Sequence, residues 1–341
     1  MRILVTGGAG YIGSVVAERL IEFGHTPVVY DNLSDGHREA VPSGADLVVA
    51  DLSDREAVIR CLDKYSIEAV IHMAAHALVG ESMIDPSKYF RNNVGAGIQL
   101  LDAMVERGLK RLVFSSTSAV YGEPEKSPVT ESSPQLPTNP YGESKLAFEK
   151  VLRWYDRAHG IKYATLRYFN VAGATARSGE QHNPETHLIP LALGCALGRR
   201  DAVDIFGNDY PTPDGTCVRD YIHVIDLADA HILALAALEG ESKTYNLGNG
   251  SGFSVLEVIE SARRVTNRPL PTRVAPRRPG DPGVLVANSA RARQELGWMP
   301  VHSELDTIIE SAWKWHISHP GGYESRDDVM GAPSAPEPSE L

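Results

Sequence analysis

Two residues of one short segment can act together on a proton. Tyr141 and Lys145 stand four residues apart in the segment YGESK, and Pro140 precedes them as a typical first residue of a helix. Residues at this spacing share one face of a helix, so the ammonium group of Lys145 is expected near the phenol. A nearby cation lowers the pKa of a phenol from about 10. The pair is therefore a candidate general base towards an alcohol, although the spacing is also common in surface Tyr/Lys pairs.

A run of hydroxyl side chains supports the catalytic interpretation. The segment SSTSAVYG, residues 115–122, begins at the carboxyl end of the fifth predicted strand. Open α/β sheets bind their ligands at this edge, so the run is expected to face the same crevice as Tyr141. The hydroxyl of Ser116 or Thr117 can then hydrogen-bond a substrate alcohol. Serine and threonine are also frequent in turns, so the argument depends on the position of the run.

A glycine-rich segment near the start of the chain has the pattern of a dinucleotide site. The segment TGGAGYIG, residues 6–13, follows the first predicted strand and opens the first predicted helix. In this context Gly7 allows a tight turn, Gly10 lets the backbone approach a pyrophosphate, and Gly13 permits close helix packing. The helix N-terminus adds N–H donors and positive potential for the anion. We therefore favour a dinucleotide site over an ordinary glycine turn.

An acidic residue at the end of the second predicted strand indicates which dinucleotide binds. Asp31 lies about 20 residues beyond the glycines, where a carboxylate accepts hydrogen bonds from the ribose hydroxyls and repels a 2′-phosphate. The sequence therefore favours NAD over NADP. Asp51, at the end of the third predicted strand, is a weaker candidate for the adenine amino group. The alternative for both is a solvated loop aspartate.

The elements that must position these residues alternate between short β-branched runs and longer helical patterns. Strands are predicted at residues 2–6, 27–30, 46–50, 69–72, 111–115 and 162–167. Helices are predicted at residues 12–23, 55–64, 87–107 and 141–159. This alternation predicts an α/β fold with a Rossmann-type doubly wound parallel sheet.

The second half of the chain differs from the first in composition and in its pattern of predicted elements. From about residue 171 it contains loops rich in Gly, Pro and Asn, with helices predicted at 188–198, 225–239 and 254–265. We predict an NAD-binding domain at 1–170, to which 219–238 returns, and a smaller C-terminal α/β substrate lobe at 171–323. Residues 324–341 are rich in Pro, Ser and Glu and are predicted to form a disordered tail.

Composition excludes several classes of partner. The formal net charge of −11 over 341 residues disfavours nucleic acid, because phosphate-backbone binding requires a dense Lys/Arg surface. No apolar stretch approaches the roughly 20 residues needed to span a bilayer, so we expect no membrane partner. Cys61, Cys195 and Cys217 are widely spaced and form no metal-binding motif. We therefore expect no metal site and a cytoplasmic location.

Together these segments resemble the extended short-chain dehydrogenase/reductase family, and within it the chain is similar to the UDP-glucose 4-epimerase family from Met1 to about Tyr323. The more specific marks of the resemblance are HMAA at 72–75, VGES at 79–82, NNV at 92–94, LRYFN at 166–170, IFGNDYPT at 205–212 and DGTCVRDYIHV at 214–224.

The resemblance implies a set of contacts to NAD. The cofactor-binding positions are Gly7, Gly10, Tyr11, Ile12, Gly13, Asp31, Asn32, Asp51, Leu52, Met73, Ala74, Ala75, Asn93, Ser115, Tyr141, Lys145 and Tyr168. Two positions depart from the family. Thr117 stands where the family has its catalytic serine, which keeps a hydroxyl but restricts χ1. Ala77 stands where some members carry a lysine near the cofactor.

The resemblance also implies a UDP-sugar substrate and a mechanism. Its substrate-binding positions are Thr117, Tyr141, Asn170, His187, Leu188, Phe206, Arg219, Arg278, Asp281 and Leu285. Tyr141 phenolate removes the 4-OH proton while the C4 hydride passes to NAD, and the hydride then returns to the other face of a rotated keto sugar. Leu285 stands where members restricted to UDP-glucose and UDP-galactose carry a tyrosine. We therefore expect activity on UDP-N-acetylglucosamine and UDP-N-acetylgalactosamine as well.

Other interpretations stay open at this point. A nucleotide-sugar 4,6-dehydratase resembles this sequence but carries an Asp-Glu pair after the strand-end Thr, where this chain has Ser118 and Ala119. A UDP-glucuronate epimerase or decarboxylase requires a site for the sugar carboxylate, which the sequence does not reveal. A catalytically silent NAD-binding sensor predicts loss of Tyr141 or Lys145. The resemblance also suggests a homodimer formed through helices of the cofactor domain.

Overall fold

Short apolar strands alternate with amphipathic helices through most of the chain. The computed structural model describes residues 1–238, 240–278 and 280–323, so the predicted tail lies outside the described residues. The strands are β1 (Arg2–Thr6), β2 (Thr26–Asp31), β3 (Asp46–Val49), β4 (Ala69–His72), β5 (Arg111–Thr117), β6 (Lys162–Tyr168), β7 (Asn170–Ala172), β8 (Val203–Phe206), β9 (Val218–His223), β10 (Lys243–Leu247), β11 (Gly252–Ser254), β12 (Thr272–Ala275) and β13 (Val284–Leu285).

The helices fill the intervals between these strands. They are α1 (Tyr11–Glu22), α2 (Arg55–Tyr65), α3 (Val79–Ile84), α4 (Pro86–Tyr89), α5 (Gly97–Glu106), α6 (Pro140–His159), α7 (Leu188–Ala196), α8 (Val224–Ala236), α9 (Val255–Thr266), α10 (Ala290–Leu296) and α11 (Leu305–Ser318). In the part of the chain that the structure describes, none of them is long and apolar enough to cross a membrane.

Seven strands form a parallel sheet in the order β10-β6-β5-β4-β1-β2-β3. Successive residues of β1 point to opposite faces, with Ile3 and Val5 in one hydrophobic cluster and Leu4 in another. Burial on both faces is typical of a parallel sheet covered by helices. The predicted Rossmann-type doubly wound fold is confirmed. The strand order reverses between β1 and β4, so a crevice opens at their carboxyl ends.

Within the predicted segment 219–238, α8 packs on the cofactor sheet, and a strand joins the sheet only after this segment. Residues 218–223 form β9, which belongs to a separate sheet with β7, β11 and β13. The helix α8 packs against α1 and β5, and β10 after it becomes the edge strand beside β6. Parallel neighbours require a crossover connection, and α8 supplies it. The strand that rejoins the sheet is therefore the one that follows the helix.

The predicted helix at 87–107 is interrupted. The chain forms the short α4, then a π-helical stretch at Phe90–Ala96, and then α5. Within this stretch the side chain of Asn93 hydrogen-bonds the backbone of His76 and the hydroxyl of Ser144. A π-bulge often marks a functional place in a helix, and here it turns a polar side chain inward.

Candidate active site

Tyr141 lies in the first turn of α6 and is almost completely buried. The helix begins where the side chain of Asn139 accepts a hydrogen bond from Gly142 N at 2.8 Å. Thr117 lies at the end of β5, and its hydroxyl accepts a hydrogen bond from Ala119 N at 3.1 Å. Burial raises the pKa of Tyr141, and the hydroxyl of Thr117 opposes the rise. The phenol is thus buried beside a hydroxyl at the carboxyl edge of the sheet.

Lys145 lies one turn further along the same face of α6. Its Nζ donates a hydrogen bond to Ser115 O at 2.8 Å and lies 4.9 Å from the centre of the Phe114 ring. Burial lowers the pKa of Lys145 to about 7, and the carboxylate of Glu149 opposes this effect. At this pKa the cationic and neutral forms of Lys145 are both populated near neutral pH.

Ser116 was predicted as an alternative catalytic hydroxyl, and its side chain points elsewhere. It donates a hydrogen bond to Glu149 Oε1 at 2.6 Å, inside the protein. Because successive side chains of a strand point to opposite faces, Ser116 and Thr117 cannot both face the phenol. Thr117 is therefore the hydroxyl that the structure brings to Tyr141.

Ser115 and Tyr168 support the lysine from the strands below it. The Ser115 hydroxyl lies 2.9 Å from His231 Nε2, so it faces α8, while its carbonyl holds Lys145. Tyr168 ends β6 opposite Thr117 in the register of β5 and β6. Burial raises the pKa of Tyr168, and a hydrogen bond with Ser115 opposes the rise. Both residues lie in the cluster, and Tyr168 adds a second phenol beside Tyr141.

The glycine turn leaves room for a ligand at one of its three positions. A Cβ on Gly7, where φ is 70°, would lie 2.6 Å from Ala74 N, and a Cβ on Gly13 would lie 2.2 Å from Gly7 O. At Gly10 the nearest atom to a Cβ would be 3.4 Å away. The chain's own packing therefore requires glycine at Gly7 and Gly13. At Gly10 the open space adjoins the N-terminus of α1.

The first turn of α1 offers donors to an anion in this space. The helix begins at Tyr11, which Ile12 follows. Its first turn contains no acidic residue, and no side chain caps its N-terminus. The phenol of Tyr11 donates a hydrogen bond to Gly173 O at 2.6 Å and so ties the turn to the loop after β7. Uncapped N–H groups with the positive end of the helix dipole bind phosphate well.

Asp31 turns its carboxylate towards the glycine turn. It accepts hydrogen bonds from Ala9 N at 3.0 Å and Leu33 N at 2.8 Å. Burial raises its pKa, and the two N–H groups oppose the rise. The position at the end of β2 matches the predicted ribose site. The carboxylate is fixed by the backbone of the turn that it follows.

The predicted adenine contacts lie beside it at the ends of β2 and β3. Asn32 Nδ2 donates a hydrogen bond to Asp51 Oδ2 at 2.8 Å, and Ser53 N donates one to Asp51 Oδ1 at 2.8 Å. The Ser53 hydroxyl also donates to Asp51 Oδ1 at 2.6 Å, and this bond, with those from Ser53 N and Asn32, lowers the pKa of Asp51. Leu52 is buried within the hydrophobic cluster under α2.

The loop after β4 completes the edge of the crevice. Met73 N and Ala74 N lie 3.2 and 3.4 Å from Thr6 Oγ1, so the loop with Ala75 runs along the end of β1. Asn93 was predicted as a cofactor-binding residue. Its amide is hydrogen-bonded to His76 and Ser144, as described above, so it holds this loop, and its contact with NAD stays a prediction.

A second group of predicted residues comes from β9, β13 and the loop before β13. Arg219 forms a hydrogen-bonded ion pair with Asp281. Leu285 is paired with Arg219 in the strand register. The guanidinium of Arg278 lies 4.0 Å from the centre of the Phe206 ring, so this arginine and aromatic residue form a stacked pair.

His187 precedes α7, whose first residue is Leu188, and belongs to a cluster that the sequence did not predict. The ligating atoms of Glu180, His182, Glu185 and His187 lie within 4.8 Å of one another. Burial lowers the pKa of His187, but the carboxylates of Glu180 and Glu185 outweigh it and raise the pKa to about 10. The positive imidazole charges and the negative carboxylate charges of this cluster balance. The sequence predicted no metal site, and that stays a prediction.

Two further buried residues were not predicted from the sequence. Glu149 and Arg167 form an ion pair whose side chains are each 4% exposed, directly behind Ser116. The sequence contains one signal for Glu149. It follows Lys145 by four residues, just as Lys145 follows Tyr141. Asn170, in contrast, was predicted and lies in β7 opposite Tyr221 of β9.

Comparison with known proteins agrees with this geometry. The sequence model of the NAD dependent epimerase/dehydratase family matches residues 3–248. The UDP-glucose 4-epimerase of Lacticaseibacillus casei is 51% identical over 331 residues, which cover 96% of this chain and 100% of the relative. The likeness thus includes both the cofactor half and the half that follows it.

Solved structures show the same likeness in three dimensions. The crystal structure of UDP-glucose 4-epimerase from Brucella ovis in complex with NAD has 48% sequence identity and a TM-score of 0.89, and the match covers 94% of this chain and 98% of that one. The UDP-glucose 4-epimerase from Bifidobacterium longum in complex with NAD⁺ and UDP has 36% identity and a TM-score of 0.90, with coverage of 94% and 100%.

Proposed function

Because this chain belongs to the NAD dependent epimerase/dehydratase family, we propose that it interconverts UDP-glucose and UDP-galactose by inverting the configuration at C4 of the sugar. The observation that carries the proposal is the buried cluster of Tyr141, Lys145 and Thr117 at the carboxyl edge of the sheet. Such a cluster suits the removal of a proton from an alcohol.

Each residue of the cluster has one task. Tyr141 takes the proton of the C4 hydroxyl and returns it after inversion. Lys145 lies one turn from Tyr141 on the same face of α6 and favours the ionised phenol through its positive charge. Thr117 holds the substrate hydroxyl against the phenol, a role for which its own hydroxyl is placed by the end of β5.

NAD bound at the glycine turn supplies a reversible oxidant for C4, so no external redox partner is required. The open space at Gly10 and the uncapped N-terminus of α1 fit its pyrophosphate. Asp31 would accept hydrogen bonds from the adenosine ribose hydroxyls, and Lys145 would hold the nicotinamide ribose. The residues present therefore fit the cofactor.

The UDP moiety anchors the substrate while the keto sugar rotates to present its other face. Arg219 is held by Asp281 and presents its remaining N–H groups to phosphate, since a guanidinium binds phosphate oxygens in bidentate fashion. Arg278, stacked on Phe206, is the second cation on this path. His187 lies at the N-terminus of α7, which is also favourable for an anion.

The neighbouring reactions fit the site less well. A 4,6-dehydratase needs an acid/base pair after Thr117, and this chain has Ser118 and Ala119 there. A UDP-glucuronate epimerase needs a cation for the sugar carboxylate, and no residue has been assigned to that task. A silent NAD sensor does not need the complete cluster of Tyr141 and Lys145.

Product identification tests the proposal. Purified protein is incubated with UDP-galactose, and the sugar nucleotides are separated and identified by NMR. We expect UDP-glucose to form without added oxidant or reductant, up to an equilibrium reached from either side. Accumulation of a 4-keto-6-deoxy sugar, or return of unchanged substrate, would contradict the proposal.

We further propose that the enzyme accepts the N-acetylated pair. Leu285 contributes to an apolar cluster with Val120, Tyr121, Leu146 and Phe169, next to the end of β5. A leucine leaves the space that a tyrosine ring would fill, and an acetamido group at C2 can use that space. Apolar pockets discriminate such differences by only about 1 to 3 kcal/mol, so the smaller substrates remain acceptable.

The variant Leu285→Tyr tests this specificity. We expect it to lower kcat/KM for UDP-N-acetylglucosamine by about 10- to 150-fold while UDP-glucose changes little. The wild-type enzyme assayed on both pairs is the control. If the wild type does not epimerise the N-acetylated pair, or if the variant keeps its activity on both pairs, Leu285 does not set the sugar range.

We also propose an NAD-binding domain at 1–170 to which 219–238 and β10 return, a UDP-sugar lobe formed by the rest of 171–323, and a cytoplasmic homodimer. The free, buried cysteines support a reducing compartment. The exposed Phe90 and Trp154, on the π-helical stretch and α6, support a partner on that face of the cofactor domain. Light scattering of wild type and Trp154→Glu tests the dimer, which we expect to weaken in the variant.

A further inference from the structure

Glu149 is a buried carboxylate to which neither the family resemblance nor the proposed chemistry assigns a role. It follows Lys145 by four residues and Tyr141 by eight on α6, so the three side chains share one face of the helix. Its side chain is 4% exposed. Burying a charged group this deeply costs free energy unless the group is paired and hydrogen-bonded.

The partners of Glu149 come from the two strands that carry the site. Ser116 Oγ donates to Glu149 Oε1 at 2.6 Å, and Arg167 Nε donates to the same oxygen at 3.0 Å. Arg167 Nη2 donates to Oε2 at 2.5 Å. Ser116 directly precedes Thr117 in β5, and Arg167 directly precedes Tyr168 in β6. One carboxylate therefore fixes both strand ends against the helix of the catalytic phenol.

The charges around Lys145 give Glu149 a second effect. His72 on β4 is the titratable group that Lys145 acts on, and burial shifts the pKa values of His72, of Tyr141 on α6 and of Tyr168 on β6 so that all three are neutral at pH 7. Among the described charged groups, Glu149 is the one whose charge favours the positive charge of Lys145, beside the carbonyl of Ser115 and the ring of Phe114. Arg167 offsets part of the negative charge of Glu149 through the ion pair.

We propose that Glu149 is a positioning residue of the active site, whose carboxylate keeps Lys145 in its cationic form and holds the ends of β5 and β6 against α6. When Lys145 is neutral, the phenol of Tyr141 lacks the cation that favours its ionisation. The inference rests on the proposed function, because it assigns Glu149 to the same proton transfer.

Two substitutions break the same ion pair with opposite electrostatic effects. Glu149→Gln removes the negative charge and leaves Arg167, so Lys145 should lose its proton at lower pH. Arg167→Gln leaves the carboxylate unopposed, so Lys145 should keep its proton to higher pH. We expect the alkaline limb of the kcat profile to move down in the first variant and up in the second, by on the order of one pH unit.

The opposite directions separate the proposal from a purely structural role. Loss of the ion pair alone lowers the melting temperature in both variants and moves neither limb, or moves both in the same direction, and that result overturns the proposal. The KM for UDP-galactose should change little, because Glu149 is remote from the nucleotide. Bound NAD is measured in each sample, so that kcat refers to holoenzyme.

A double variant covers the case in which either single variant fails to fold. Glu149→Gln/Arg167→Gln leaves no unpaired charge, and its alkaline limb should still move down because Glu149 is the group that acts on Lys145. A wild-type limb in the double variant overturns the proposal. If the wild-type enzyme itself does not epimerise UDP-galactose, the proposed function fails, and that outcome is distinct from an active wild type whose variants show no shift.

Discussion

Gly10 and Gly13 belong to the same turn, and their substitution should have opposite consequences. In Gly13→Ala the new methyl group would lie 2.2 Å from Gly7 O, a backbone atom that cannot move aside cheaply. In Gly10→Ala the nearest atom would be 3.4 Å away, and φ of −79° suits alanine. The first variant should damage the fold, and the second should damage the ligand site.

The expected magnitudes follow from these contacts. Overpacking of this kind costs about 1 to 3 kcal/mol, and each kcal/mol lowers Tm by roughly 2 to 4 °C in a domain of this order of size. Gly10→Ala should change stability by about 1 kcal/mol or less. Displacing the pyrophosphate from one charge-assisted N–H bond costs about 1.5 to 3 kcal/mol, so NAD should bind about 10- to 150-fold more weakly.

The assay measures nucleotide content and melting temperature on the same samples. Nucleotide released by acid denaturation is quantified per mole of protein, and Tm is measured after nucleotide removal. Wild type is the control for both. If Gly10→Ala retained a full complement of NAD with unchanged affinity, the pyrophosphate would not lie against Gly10, and the assignment of this space would have to be withdrawn.

Three further outcomes are expected. Tyr141→Phe removes the base and should lower kcat by roughly 10² to 10⁴-fold with UDP affinity unchanged, whereas Thr117→Val should cost less; near-normal turnover of the phenylalanine variant in a coupled assay would refute the assignment. Arg219→Met should raise the Kd for UDP about 10- to 150-fold in calorimetry, and an unchanged Kd would remove Arg219 from the phosphate site. Nucleotide released from the wild type should be NAD, and recovery of NADP would contradict the role of Asp31.

Much of the cofactor half was predictable because its signals are local. The glycine turn, the strand ends and the YGESK helix each follow from spacing and periodicity within a few residues. The choice between Ser116 and Thr117 could not be made this way, because it depends on which face of β5 meets α6. The edge strand β10 was not predicted, since apolar runs alone do not reveal their partners.

Residues whose roles depend on distant partners were the hardest to predict. The hydrogen bonds of Asn93 with His76 and Ser144 could not be predicted, because the fold brings these residues together from distant parts of the chain. Glu149 and Arg167 are separated by 18 residues and meet only when α6 packs on β6. A charged residue in a helix is usually solvent-exposed, so the four-residue spacing of Glu149 from Lys145 alone does not predict a buried pair.

The central claim is that C4 of the sugar is oxidised and re-reduced within one complex. UDP-galactose carrying deuterium at C4 is converted in ordinary water, and the product is analysed by mass spectrometry and NMR. The account predicts UDP-glucose that retains deuterium at C4, because the hydrogen removed from carbon returns to the same carbon. Loss of the deuterium to solvent would contradict it.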